Sequence, residues 1–172
     1  MMKLRTRRAL ALAGTAVALT IALSGCSAIN DILSGGAPQD AERDEETGEV
    51  KEDANIDIFA LKVGDCKMAS ASGLIESADV TPCDQPHDEE VYYEFSMPDG
   101  EFSETDVDAA SQECIGEPFT TFVGVAYDAS VLTVYPITPT KDTWDTLNDR
   151  IIQCVILEDG VQTTGTLKGA AR

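Results

Sequence analysis

One short segment of the chain contains the residue types that could bind a metal ion or transfer a proton. His87 is the only histidine, and Asp88 and Glu90 follow it within three positions. An imidazole beside carboxylates can act as an acid–base pair or as a set of metal ligands. One histidine cannot complete a zinc centre with two or three histidine ligands, and carboxylates alone favour weak calcium sites. We therefore expect structural roles, with His87 donating to a backbone carbonyl and Glu90 pairing with Arg150.

A second group of carboxylates follows the turn at residues 98–100. Its spacing resembles an acidic calcium loop at first sight, but the glycine is at the second position and the order D-x-[DN]-x-[DN]-G is absent. Helix capping and solvation explain these side chains better, and we expect no metal site. The carboxylates are those of Asp99, Glu101, Glu104, Asp106 and Asp108.

Trp144 stands five residues before the pair Asp149 and Arg150, and an aromatic side chain there could stack on a sugar or a peptide. A ligand-binding protein would then have a concave pocket that combines Trp144 with tyrosines. The candidate tyrosines are Tyr92, Tyr93, Tyr127 and Tyr135. Because the chain has a single tryptophan, we expect it to anchor the core instead.

The familiar catalytic motifs G-x-S-x-G, S-x-x-K, H-E-x-x-H and the P-loop do not occur in the chain. We predict that the protein is not an enzyme and needs no cofactor. An enzyme of unfamiliar type that uses His87 is an alternative, and it would require this imidazole to be open to solvent beside a nucleophile or an ordered water.

Residues 1–25 have the composition of a bacterial export signal. Four basic residues precede an apolar run from Ala9 to Leu23, and small residues follow. The tetrapeptide that ends in Cys26 resembles a lipobox, in which that cysteine carries a diacylglycerol after cleavage. Two or more acyl chains hold a protein stably on a bilayer. We predict a lipid-anchored protein on the extracytoplasmic face of the cell membrane.

The remaining chain is strongly acidic. Residues 1–25 hold four of the 12 basic residues and none of the 31 acidic ones, which leaves a net charge of −23. Nucleic-acid binding needs clustered Lys and Arg and is therefore excluded, whereas cationic partners are allowed. Residues 26–56 are small and charged and predict a disordered tether, so that one domain spans residues 57–172.

Assigning Cys26 to lipid leaves four cysteines: Cys66, Cys83, Cys114 and Cys154. In an oxidising compartment an even number of cysteines in a small domain predicts disulfides, and four allow three connectivities. We favour Cys66–Cys83 and Cys114–Cys154, which would contribute roughly 3 and 4 kcal/mol in the chain-entropy model.

Hydrophobic periodicity predicts an α+β domain with a small antiparallel sheet. Strands are expected at residues 58–61, 74–75, 79–81, 89–95, 131–135, 150–157 and 161–167, with a hairpin turn at 158–160. Residues 89–95 alternate so that one face, with Val91, Tyr93 and Phe95, is buried. The main helix is expected over about 103–116, capped by Ser103 or Thr105 and stopped by Gly116 and Pro118.

Four motifs in this order resemble the septum-formation family of actinobacterial envelope proteins. They are V-G-D-C at 63–66, C-x-x-P-H-x-x-E-V at 83–91, W-x(4)-D-R-x-x-x-C at 144–154 and T-G-x-L at 164–167. The family usually has glycine where this chain has Asn148, a residue that also tolerates a left-handed backbone. The resemblance implies a link to the division septum or the cell envelope, and it implies no reaction.

Taken together, the chain is expected to be a lipid-anchored interaction or structural module of the cell envelope, with septal or wall-associated proteins as partners. The first alternative is a lipoprotein that binds a small molecule, a metal or a wall fragment.

Overall fold

Six strands form one curled antiparallel sheet in the computed structural model, which describes residues 40–70 and 75–172. The strands are β1 (Ala54–Asp57), β2 (Cys66–Lys67), β3 (Ser77–Thr81), β4 (Glu89–Ser96), β5 (Thr133–Ile137) and β6 (Ile151–Leu157). Their order across the sheet is β1-β3-β2-β4-β6-β5. The α+β prediction is confirmed. In the described ranges no helix is long and apolar enough to cross a bilayer.

The main helix begins and ends close to the expected positions, and two further helices were not predicted. Helix α1 (Glu104–Ser111) starts at Ser103, whose hydroxyl accepts from the amide of Asp106, and a 3-10 turn carries it on to Ile115. Gly116 ends this segment as predicted. Pro118 does not stop a helix, contrary to the prediction, because it lies in the first turn of α2 (Glu117–Val123), where a missing amide hydrogen costs nothing. Helix α3 (Lys141–Thr146) begins with a capping box at Thr140.

Four of the seven predicted strands are confirmed, those at 58–61 and 161–167 are wrong, and the one at 74–75 is not formed at Ile75. Residues 58–60 form a 3-10 turn because the carboxylate of Asp57 accepts from the amide of Phe59. Residues 161–167 make only isolated bridges, Glu158 with Val161 and His87 with Thr163, and run on as a loop. Ile75 lies outside any strand, and Leu74 lies outside the described residues.

Strand β4 buries side chains on both faces rather than on one. Its pairing with β6 shifts register between Val91 and Tyr93. This irregularity puts Tyr93 and Phe95 on the same side as Tyr92, which lies in the apolar cluster beneath α1 and α2. We call this cluster the helix-side cluster. Val91 packs in a second cluster with residues of β1 and β3. A bulge changes which side chains share a face, and simple alternation does not anticipate it.

Both predicted disulfides are present. Cys114 and Cys154 join the end of the α1 segment to β6, with Cα atoms 5.5 Å apart, inside the helix-side cluster. Cys66 and Cys83 join β2 to the loop after β3, with Cα atoms 5.2 Å apart.

The folded domain begins earlier than predicted. Residues 40–53 pack against it rather than continuing a tether: Arg43 and Val50 form a bridge, and Val50 is buried in the second apolar cluster. Because carboxylates dominate the composition of this stretch, its sequence does not reveal that Arg43 and Val50 make the anchoring contacts. The predicted signal at 1–25, Cys26 and the tether up to residue 39 lie outside the described residues.

Candidate functional site

A groove of about 530 Å³ opens on one face of the sheet. Ile152, Cys154 and Ile156 of β6 point to the helix-side cluster, and the alternate residues Ile151 and Gln153 line the groove on the other face. We call this surface the sheet groove. Its lining residues are Ile58, Phe59, Leu61, Lys62, Ile75, Glu94, Tyr135, Pro136, Ile137, Thr138, Thr140, Thr143, Asp149, Ile151 and Gln153.

Two large apolar side chains of the sheet groove are open to solvent. Phe59, from the turn after β1, is 57% exposed, and Ile151, at the start of β6, is 41% exposed. Single exposed apolar residues are ordinary on a protein surface, whereas ligand sites are concave and lined mainly by apolar side chains.

Gln153 holds the two sides of the sheet groove together. Its side-chain amide donates to the carbonyl of Leu61 over 2.8 Å and to Oε2 of Glu94 over 3.2 Å. The segment 58–62 is therefore held on the sheet by a buried hydrogen bond. Removing one partner would leave a buried polar group unsatisfied, and this penalty exceeds the net stability that a typical hydrogen bond contributes. Glu94 is exposed, and it forms no salt bridge within the described residues.

A buried polar network supports β5 at the groove. The hydroxyl of Tyr135 donates to Oε2 of Glu89 over 2.6 Å, and the ammonium of Lys67 pairs with the same oxygen. Lys67 is completely buried and also donates to Ser70 Oγ over 2.9 Å. Burial, and then the hydrogen bond to Glu89, raise the pKa of Tyr135 far above its ordinary value. These partners keep Tyr135 protonated and fixed in position.

His87 is enclosed by its own loop. It is 1% exposed, its Nδ1 is 2.8 Å from the carbonyl of Gln85, and its backbone pairs in both directions with Thr163. Because a carbonyl can only accept, Nδ1 carries a hydrogen, as predicted. Its Nε2 is buried without a hydrogen-bond partner in the described part of the chain.

Glu90 does not pair with Arg150, contrary to the prediction. Its carboxylate, 2% exposed, accepts from the hydroxyl of Thr166 over 2.6 Å and from the amide of Leu167 over 2.7 Å. It thereby fastens the C-terminal loop to β4. Glu90 and His87 therefore bond to different partners and do not form an acid–base pair with each other.

Helix α3 is held in place by contacts that involve Trp144, Asp149 and Arg150. The Trp144 indole is buried, donates to the carbonyl of Gly100 over 2.9 Å, and lies beneath the Arg150 guanidinium at 3.7 Å from the ring centroid. Asp149 accepts from the Thr143 hydroxyl and from the amide of Ile151. Of the three side chains, only Asp149 also lines the sheet groove. Trp144 is a core anchor, as expected.

The four candidate tyrosines do not converge on one pocket. Only Tyr135 lines the sheet groove. Tyr92 packs on Phe119 and Phe122. Tyr93 stacks on Phe95, and Tyr127 meets Phe119 edge-to-face.

The acidic run after residue 98 places Glu104 and Asp106 in the first turn of α1, where carboxylates are favourable, and it forms one weak ion pair. Asp99 Oδ1 lies 3.4 Å from Nε of Arg150. In residues 40–70 and 75–172, no group of three or more His, Cys, Asp or Glu side chains could hold a metal ion.

Sequence reasoning missed Phe59, Glu94, Gln153 and Lys67. The first three become neighbours only when the turn after β1 folds over β4 and β6, and their positions are 35 to 94 residues apart in the chain. A lysine directly after a buried cysteine in a short strand was a weak signal for Lys67.

Comparison of the chain with models of protein families, with curated proteins and with solved structures found no match.

Proposed function

We propose that this protein is a lipid-anchored, non-enzymatic interaction module on the extracytoplasmic face of the cell membrane. Its partners are envelope or septal proteins, and its role lies in septum formation or wall maintenance. The single observation that carries an interaction function is the sheet groove, with Phe59 and Ile151 exposed along it. The two disulfides support an oxidising compartment.

The enzyme alternative lacks the feature that it required. It needed an imidazole open to solvent, whereas His87 is enclosed and its Nδ1 is engaged by Gln85. Capture of a small molecule remains the second candidate function, because the volume of about 530 Å³ lies within the range of small-molecule pockets.

The test uses the full chain, purified through a C-terminal tag from detergent-solubilised membranes of its native host. The variant Phe59→Ala/Ile151→Ala removes the two exposed apolar groups of the sheet groove. The matched control Val131→Ala/Val161→Ala removes two exposed apolar groups elsewhere on the surface. We expect a protein partner to be retained by the wild type and the control and lost by the groove variant. Equal retention by all three would overturn the groove as the binding surface.

Anchoring is tested separately with Cys26→Ser. We expect this variant to lose the incorporation of a labelled fatty acid and to leave the membrane fraction. A variant that stays lipidated would disprove the assignment of Cys26.

A further inference from the structure

We propose that the sheet groove binds an extended protein segment in which apolar side chains alternate with lysine or arginine. This inference rests on the proposed interaction function and adds the chemistry of the partner. It is carried by the charges of the groove and by the position of strand β5 at the edge of the sheet.

The charged groups of the sheet groove favour a cation. Lys62 is its one basic residue, and its ammonium is already paired with Asp40 at 2.8 Å. Glu94, by contrast, lies exposed on the sheet face, and only its Oε2 accepts a hydrogen bond, from Gln153, within the described chain. Asp149, half-buried, adds a second carboxylate that pairs with no cation there. A negatively charged groove in a chain of net charge −19 attracts cations and repels anions.

The edge of β5 favours a polypeptide over a small molecule. Residues 135–138 all line the groove although successive strand residues point to opposite faces, so the groove reaches around the strand edge. Pro136 has no amide hydrogen and pairs with Cys154. Residue pairs in an antiparallel ladder alternate between hydrogen-bonded and non-hydrogen-bonded, and a proline fits the second kind. The main-chain groups of Pro136 therefore point away from β6, and those of Val134, two residues earlier, point the same way. Glu94 lies on β4, two strands in from this edge, and the groove runs from the edge across β6 to β4. An extended chain could therefore bond to these groups where it crosses the edge, and place side chains over Phe59 and Glu94 further along the groove.

Pro136 also limits which chains can pair there. With one outward amide hydrogen missing, the edge offers mainly carbonyl acceptors, so main-chain pairing alone is weak. Specificity then depends on the side chains of the bound segment, apolar ones against Phe59, Ile137 and Ile151 and a basic one against Glu94.

The test measures binding by fluorescence anisotropy with the full chain in a non-ionic detergent. The probe is a labelled hexapeptide of alternating valine and lysine, and the comparison peptides carry glutamine or glutamate in place of lysine. We expect the lysine peptide to bind at least fivefold more tightly than the glutamine peptide and the glutamate peptide not to bind. Glu94→Gln should weaken the lysine peptide about fivefold, in line with the loss of one charge-assisted contact. Asp108→Asn, an exposed carboxylate on α1 with the same charge change, should have no effect.

Several outcomes would overturn the inference. If Glu94→Gln and Asp108→Asn weaken the binding of the lysine peptide equally, the peptide is attracted by the acidic surface as a whole and not by the groove. Equal binding of the three peptides would remove the requirement for a cation, and competition by hexylamine at the same concentration as the peptide would indicate a small-amine site. If the lysine peptide fails to bind while the membrane pulldown still loses its partner in Phe59→Ala/Ile151→Ala, the partner chemistry is wrong and the proposed function stands. If the pulldown also shows no groove-dependent partner, both fail.

Discussion

Arg43 and Asp65 form a bidentate ion pair that joins residues 40–53 to the rest of the domain. The guanidinium Nη1 is 2.5 Å from Oδ1 of Asp65, and Nη2 is 3.0 Å from Oδ2. Asp65 is buried, and its Oδ2 also accepts from the amide of Lys62. The hydrogen bond to Asp65 raises the pKa of Arg43. The aspartate of the V-G-D-C motif therefore receives its cation from a segment whose composition resembles a tether.

Removing this cation should destabilise the domain. Arg43→Met leaves the Asp65 carboxylate buried without its partner, and hydrogen bonds to charged groups contribute about 1.5–3 kcal/mol. We expect a loss of that size in the free energy of unfolding, measured by urea denaturation. Lys51→Met is the matched control, because Lys51 is exposed and lies 3.8 Å from Glu42; it should change stability by less than about 0.5 kcal/mol. Similar losses in both variants would contradict a specific role for Arg43.

Glu90 should be required for the C-terminal loop to stay on β4. Glu90→Ala leaves the amide of Leu167 without its acceptor, and one unsatisfied buried donor costs about 1–3 kcal/mol. We expect that loss by urea denaturation together with faster hydrogen exchange of the Leu167 amide. Thr166→Val, which removes only the hydroxyl contact to Glu90, should cost less and leave this amide protected. An unchanged exchange rate in Glu90→Ala would show that other contacts hold the loop.

The two disulfides should differ in their resistance to reduction. Cys114 and Cys154 are both buried in the helix-side cluster, whereas Cys83 is partly exposed. During titration with a phosphine reductant, thiol alkylation and mass spectrometry should detect Cys66 and Cys83 first. Cys114→Ser/Cys154→Ser should be the costlier pair of substitutions, because the chain-entropy model assigns about 4 kcal/mol to the longer loop and about 3 to the shorter. Simultaneous labelling of all four cysteines would indicate that global unfolding precedes reduction.

Alkaline pH should destabilise the domain through Tyr92, which is buried, and Tyr135, which is partly buried. Burial raises the pKa values of Tyr92 and Tyr135 above the ordinary value of about 10. Above about pH 10 the unfolded chain loses these protons before the folded one does, so the free energy of unfolding falls as pH rises. It is measured by urea denaturation at about pH 9 and about pH 11. Tyr92→Phe/Tyr135→Phe should show a smaller fall between the two values, and an identical fall would assign the effect to other groups.

The predictions that succeeded depend on local chemistry. Ser103 can cap a helix, alternating apolar residues form β6, and asparagine tolerates the left-handed backbone that Asn148 adopts at φ 55°. Those that failed depend on competing contacts. Residues 161–167 contain valine and threonines that favour a strand, yet Glu90 takes the Leu167 amide and the segment makes only isolated bridges.

The sequence by itself determined the α+β class, the main helix and the acidic character of the protein, because each follows from residue type and short-range spacing. It indicated disulfides among four cysteines, and the tertiary structure decided which of the three connectivities forms. Only the tertiary structure decided where the domain begins, why Asp65 is buried and where a ligand could bind. The Arg43–Asp65 pair and the sheet groove join side chains far apart in the chain. Such contacts depend on the register of β4 with β6 and on the path of the turn after β1, and neither leaves a periodic signal in the sequence.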